Sequence, residues 1–165
     1  MPPAEHVHLL VNHIPIIGLA FAILPIAWGL IRRDRGTAVL GAILAVLATL
    51  PTPLVVWSGK AAEERLHITL DPDATITLAP EHEERAETTQ WALYATLALA
   101  ASSLMVSGGG ERRARLATAL LGATLAAGIA GLALAAWTAE AGGRIRHTEL
   151  RSGAPSVPED SAHPE

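Results

Sequence analysis

Four uninterrupted apolar blocks limit what this chain can fold into. They run over Ile14 to Ile31, Thr37 to Trp57, Thr89 to Ser107 and Leu116 to Trp137, and none contains a formal charge. Each is close to the roughly 20 residues an α-helix needs to cross about 30 Å of hydrocarbon. The strands of an outer-membrane barrel read instead as short alternating segments, a pattern these blocks lack. Composition agrees, since 50% of residues are hydrophobic and 17% charged, and mean hydropathy is +0.34. A soluble domain rarely has such a balance. The expected fold is all-α, a four-transmembrane-helix up-down-up-down bundle filling residues 1–151. Its spans fall at about 9–31, 37–57, 86–107 and 114–140, with an outer loop at 58–85 and a disordered polar tail at 152–165.

Several function classes drop out. A formal net charge of -4 describes no nucleic-acid binder. Cysteine is absent, which removes disulfides, thiolate metal sites and covalent c-type haem attachment together. Gly108, Gly109 and Gly110 lack the Lys and Ser/Thr of a phosphate-binding loop, and no nucleophile motif points to an ordinary enzyme. Four spans without an internal repeat or a mid-membrane charge fit a transporter poorly.

The segment before the first block carries Glu5 and His6 but no Lys or Arg, and the basic cluster Arg32, Arg33, Arg35 follows the block. That order is expected of a retained span rather than a cleaved leader. The two short connections hold Arg32, Arg33, Arg35 and Arg112, Arg113, Arg115, and even-numbered connectivity puts both on one side. Arginine density in short connections marks the cytoplasmic side, so both termini and the 58–85 loop are expected outside a bacterial inner membrane. Trp57, Trp91 and Trp137 then form an outer interfacial belt, with Trp28 near the inner surface.

Apolar helices gain little by leaving lipid for one another, so packing must come from close backbone approach at small residues. The fourth helix offers two such ridges, Gly122, Ala126, Ala130 and Ala127, Gly131, Ala135, and the second offers Gly41 and Ala45. Pro15 and Pro25 in the first helix and Pro51 and Pro53 in the second predict kinks, because proline removes an amide donor and crowds the preceding turn.

Every histidine, namely His6, His8, His13, His67, His82, His147 and His163, falls on the expected outer side. Neutral imidazole is a preferred ligand of zinc, copper and iron near neutral pH. His13 adjoins the unbroken apolar run at Ile14, where an ionisable group normally faces the bundle interior with a partner. His82 opens the third helix within Pro80, Glu81, His82, Glu83, Glu84. The pair His13 and His82 is therefore the favoured ligand set, with His8, His67 and His147 in reserve. Asn12, Glu83, Glu84 and Glu140 are the candidates for the outer acceptors that fix an imidazole's tautomer. Glu64 and His67 form a single Glu-x-x-His pair, whereas a di-iron carboxylate bundle uses two. Glu140, Arg144 and His147 share a face if the helix persists, though Gly142 and Gly143 argue that it stops.

Three strings carry a resemblance: His8-Leu-Leu-Val-Asn-His13-Ile-Pro15, Trp57-Ser58-Gly59-Lys60-Ala61-Ala62-Glu63, and His82-Glu83 before the third helix. Together they resemble an uncharacterised family of bacterial four-helix integral membrane proteins. That family has a His and a His/Phe-x-Pro element in helix 1, a Ser/Thr-Gly motif after helix 2 and a histidine opening helix 3. The resemblance covers about residues 6–140 and implies the fold, without an activity.

The expected function is binding of a redox-active metal or b-type haem at the outer face, for electron transfer or metal handling. The metal would be copper, zinc or iron. Its partners would be the lipid bilayer and a membrane or periplasmic redox protein. The alternative is a non-catalytic membrane subunit or assembly factor that docks a partner through its polar outer face.

Overall fold

The computed structural model describes residues 4–66, 74–107, 110–147 and 151. It is all-helical over those residues. The elements are α1 (Ala4–Val11), α2 (His13–Arg32), α3 (Arg35–Thr49), α4 (Thr52–Leu66), a π-helical turn (Ala74–Leu78), α5 (Ala79–Met105) and α6 (Glu111–Arg146). α2 packs on α3, α3 on α5, α5 on α6, and α6 back on α2, while α1 lies beside α4. Three runs are long and apolar enough to cross a membrane: His6–Arg32, Arg35–Ala62 and Glu111–Ile145. α5 is 27 residues long but more polar. It turns Thr89, Thr96 and Ser103 inward along one stripe. Their hydroxyls donate to carbonyls of the same helix, at Arg85, Ala92 and Ala100.

Two expected spans are broken near their histidine ends, and proline explains both breaks. Pro15 has no amide to offer Val11 and its ring crowds that carbonyl, so the helix interrupts at Asn12. α2 continues through Pro25 without interruption. α3 ends at Thr49 and α4 begins at Thr52, around Pro51. The carbonyl of Thr49, which Pro53 cannot serve, accepts instead from the Thr52 hydroxyl at 2.7 Å. Thr49 in turn donates its hydroxyl to Ala45 at 2.7 Å. Both threonines are fully buried, and this relay lets the interior tolerate the interruption. Past the break, α4 carries the helix to Leu66, so the first part of the expected 58–85 loop is helical, and the chain is helical again from Ala74.

The interior is built from small side chains and the exterior from large ones. Ala22, Ala38, Ala42, Ala45, Ala48 and Ala100 are buried, around Leu19 and Ile26. Phe21, Leu24, Trp28, Leu40, Leu47, Trp57 and Trp91 point outward. Close approach of α2 and α3 depends on glycine. A Cβ on Gly41 would stand 2.6 Å from the Ile26 amide nitrogen and 2.9 Å from the Ala22 carbonyl, and one on Gly18 would stand 2.8 Å from the Ala48 Cβ. Gly29 similarly admits the backbone of Ala38. Of the two ridges expected on α6, Gly131 and Ala135 are buried, whereas Ala126 and Ala130 are exposed and Gly122 has open space where a Cβ would be.

The α2–α3 turn is held locally. Arg33 adopts the left-handed conformation at φ 57°. The Asp34 amide reaches back to the Gly29 carbonyl at 2.8 Å and the Arg33 amide to Leu30 at 3.4 Å, the paired bonds of a Schellman ending. Asp34 then caps α3, accepting from the Thr37 amide at 3.2 Å and its hydroxyl at 2.6 Å. Those Thr37 hydrogen bonds, the hydroxyl's first, hold the Asp34 carboxyl below its usual range.

Gly41→Ala is expected to destabilise the fold by about 1–3 kcal/mol, the usual cost of forcing an extra methyl into a filled contact. Gly122→Ala, with nothing to strike, should be neutral or gain up to about 1 kcal/mol from helix propensity. Thermal melts of the two variants in one detergent check the pair; equal shifts would contradict the close approach of α2 and α3.

Candidate functional site

The histidine end contains two copies of one local arrangement. On α1, the His8 ring is half-buried against α4, where its Nδ1 lies 3.1 Å from the Val55 carbonyl oxygen and 3.3 Å from Ser58 Oγ. The Ser58 hydroxyl itself donates to Val55 at 3.1 Å, which leaves its oxygen free to accept from the ring. Four residues after Val55 comes Gly59, where a Cβ would be 3.1 Å from the His8 Cε1. On α5, His82 repeats the pattern against α6. Its Nδ1 lies 3.1 Å from the Thr138 carbonyl oxygen, and four residues on, a Cβ at Gly142 would be 3.0 Å from the His82 Cε1.

The spacing has a physical cause. A helical carbonyl keeps a second lone pair beyond its i+4 hydrogen bond, but the side chain at i+4 normally crowds the approach to it. Glycine at that position opens the carbonyl to an imidazole from the neighbouring helix. A carbonyl oxygen only accepts, so the ring nitrogen facing it carries the proton. In neutral His8 and His82 the remaining nitrogen, Nε2, therefore holds the available lone pair. His13 follows the same rule within its own helix, with Nδ1 3.3 Å from the Leu9 carbonyl, but its ring is exposed.

The structure thus brings His8 and His82 into equivalent half-buried positions, while His13 stays on the exposed side of the helix break. His147 caps the end of α6 and is exposed. His67 and His163 lie outside the described residues. The acceptors that orient His8 and His82 are backbone carbonyls rather than the expected glutamates. Glu83 pairs loosely with Lys60 at 3.9 Å, Glu84 is exposed, and Glu140 binds Arg85 at 2.9 Å. Asn12 lies at the α1–α2 break with its Oδ1 buried and without a hydrogen-bond partner among the described residues. Among the described residues no three His, Asp or Glu side chains converge as a metal ion would require.

Beside His82 runs an ion network that sequence reasoning did not foresee. Glu81 receives Arg85 from its own helix and Arg144 from α6, the latter at 2.8 Å. Arg85 also donates to the Trp137 carbonyl at 2.7 Å and lies 4.5 Å above the Trp137 ring, a cation–π contact. Glu140 and Arg144 pair at 3.7 Å, because α6 does not stop at Gly142 and Gly143 but runs on to Arg146. Below the network the Thr89 and Thr138 hydroxyls meet at 2.7 Å. These bonds tie the start of α5 to the C-terminal part of α6, and with them the His82 ring. The chain has no match among protein-family models, curated proteins or solved structures.

The hydrogen bond from Arg144 holds the Glu81 carboxyl below its usual range, against the opposing effect of partial burial and with Arg85 adding to it. A carboxyl so lowered stabilises the fold fully above its unfolded pKa of about 4.3, and that contribution is lost as pH falls through the lowered folded value. Melts from pH 6 down to about pH 3 should therefore show wild type ahead of Glu81→Gln at the upper end and the gap closing in acid. A gap independent of pH would mean that Glu81 acts through packing rather than charge.

Proposed function

We propose that the chain is an integral membrane protein of the bacterial inner membrane whose histidine end binds a redox-active metal (or zinc in the same geometry) or b-type haem. The ligands in this reading are Nε2 of His8 and His82, and the role is electron transfer or metal handling. Its support is the locked tautomer: two imidazoles on different helix pairs both commit Nδ1–H to a backbone carbonyl, the hydrogen bond that orients the ring of a metal-ligating histidine.

The membrane setting rests on the three long apolar helices and on the outward display of large apolar side chains over a small-residue interior. We read α5 as the fourth span of an up-down-up-down bundle, since its hydroxyls turn inward and bond to its own carbonyls. The arginine-dense turns support an orientation with both termini, and the histidine end with them, outside. Arg32 stacking 5.8 Å from the Trp28 ring suits a headgroup-level anchor at the opposite surface. Membership of the four-helix family it resembles belongs to the same reading, supported by the position of His8, Ser58-Gly59 and His82 at one end of the helices.

Protein purified in detergent is expected to carry about one equivalent of copper, zinc, iron or haem. His8→Ala and His82→Ala should each lose it with helix content unchanged, and His13→Ala should keep it. Binding should weaken as pH drops below roughly 6.5, because a coordinating imidazole must be neutral. Retention of full metal by the His8→Ala, His82→Ala double variant would refute the assignment, and a C-terminal reporter active only in the cytoplasm would refute the orientation.

A further inference from the structure

Packing brings two arginine clusters, far apart in the chain, to one end of the bundle. A Cβ on Gly128 of α6 would stand 3.0 Å from the Ile23 Cγ2 of α2, and one on Gly131 would stand 3.7 Å from the Cδ2 of Leu19, a turn earlier on α2. α2 and α6 therefore run antiparallel, so the end of one lies beside the start of the other. At about 1.5 Å per residue, Arg32 is about 14 Å beyond Ile23 and Arg115 about 20 Å before Gly128. The α2–α3 turn with Arg32, Arg33 and Arg35 thus stands next to the start of α6 with Arg112, Arg113 and Arg115, and all six arginines are exposed. Two carboxylates accompany them among the described residues. Asp34 is committed to Thr37, and Glu111 pairs with Arg115 at 3.2 Å. Helix stability does not account for the excess of cations: Arg35 opens α3 and Arg112 and Arg113 fall in the first turn of α6, where the positive end of the helix dipole disfavours them.

Large apolar side chains border the same arginines. Ile31 is 76% exposed, Trp28 60% and Leu116 49%, and the Arg32 guanidinium lies 5.8 Å from the centre of the Trp28 ring. Guanidinium groups match phosphate oxygens in charge and in geometry. A soluble phosphate would engage them and leave the apolar border uncovered, whereas a phospholipid offers phosphate and acyl chains across the same step in polarity. A choline headgroup would bring its own cation against the arginines, so the lipid that fits carries net negative charge. Resting on the membrane reading above, though on neither the histidine ligands nor the orientation, we propose that this end binds an anionic phospholipid. Its phosphate lies among the arginines of the two turns and its acyl chains lie along Trp28, Ile31 and Leu116.

The test is reconstitution of the full chain into phosphatidylcholine vesicles holding a trace of spin-labelled phosphatidylglycerol or spin-labelled phosphatidylcholine. Electron paramagnetic resonance then reads the fraction of each label that the protein immobilises. Phosphatidylglycerol should be preferred about fivefold or more, the effect of one or more cations at the membrane surface. That preference should shrink as NaCl rises from about 0.05 to about 0.5 M and screening shortens. Arg32→Gln with Arg112→Gln should bring the two lipids towards parity with helix content unchanged, and Lys60→Gln, at the opposite end, should leave the preference intact. If the double variant does not fold, the lipid preference of the wild type and its salt dependence still decide. Equal immobilisation of the two labels by the wild type would overturn the proposal while leaving the membrane reading standing. A preference that survives the double variant would overturn the assignment to this end, and one abolished by inorganic phosphate at matched ionic strength would mean a soluble-anion site instead. Immobilisation of neither label, with the protein washed off the vesicles by alkaline carbonate, would overturn the membrane reading and the proposal with it.

Discussion

Close approach of α2 and α3 at glycine and alanine underlies the rest of the molecule. Large apolar side chains are spent on the outside, where Phe21, Leu24, Leu47 and Trp57 project, so little hydrophobic burial holds the helices together. Dispersion between backbones must do it, and it falls steeply with separation. Gly18 against Ala48, Gly29 against Ala38 and Gly41 against Ile26 space the contact along its whole length.

Glycine serves a different purpose at the histidine end. Gly59 and Gly142 are positioned four residues after a carbonyl that an imidazole approaches, and their missing side chains admit the ring. The chain shows no obvious repeat at the level of residues, yet the two helix pairs repeat this device in space. Each copy orients a histidine, and each stands beside a hydroxyl hydrogen bond, from Ser58 to Val55 in one case and between Thr89 and Thr138 in the other. Buried polar groups arranged in this way rigidify what they surround.

The two interruptions at Asn12 and Pro51 lie toward the histidine end and separate α1 from α2 and α4 from α3. α1 and α4 pack on each other, joined by the His8 hydrogen bond to Val55. Their link to α5 includes the long, exposed Lys60 ion pairs, which contribute little energy in a solvated setting. The α5–α6 side is instead tied by the denser Glu81, Arg85, Arg144 network. The two halves of the candidate site are thus held with unequal stiffness.

Apolar patterning carried the helical class and three long apolar helices, because lipid-scale apolar runs are local properties of the chain. Proline likewise announced the breaks beside Pro15 and Pro51. Which histidine turns inward was not local. His8 and His13 lie five residues apart, and the helix break between them at Asn12, together with the neighbouring Gly59, leaves one ring half-buried and the other exposed. Gly142 read as a helix terminator, since glycine is costly in an isolated helix; packed against His82 it lies inside α6. Glu83 and Glu84 looked like partners of His82 from their proximity in the chain, but Glu83 faces Lys60 and Glu84 is exposed, while Arg85 claims Glu140. A residue's period and charge are written in its neighbours along the chain, whereas the partner of an imidazole or a carboxylate depends on which helix stands opposite, and that follows from packing alone.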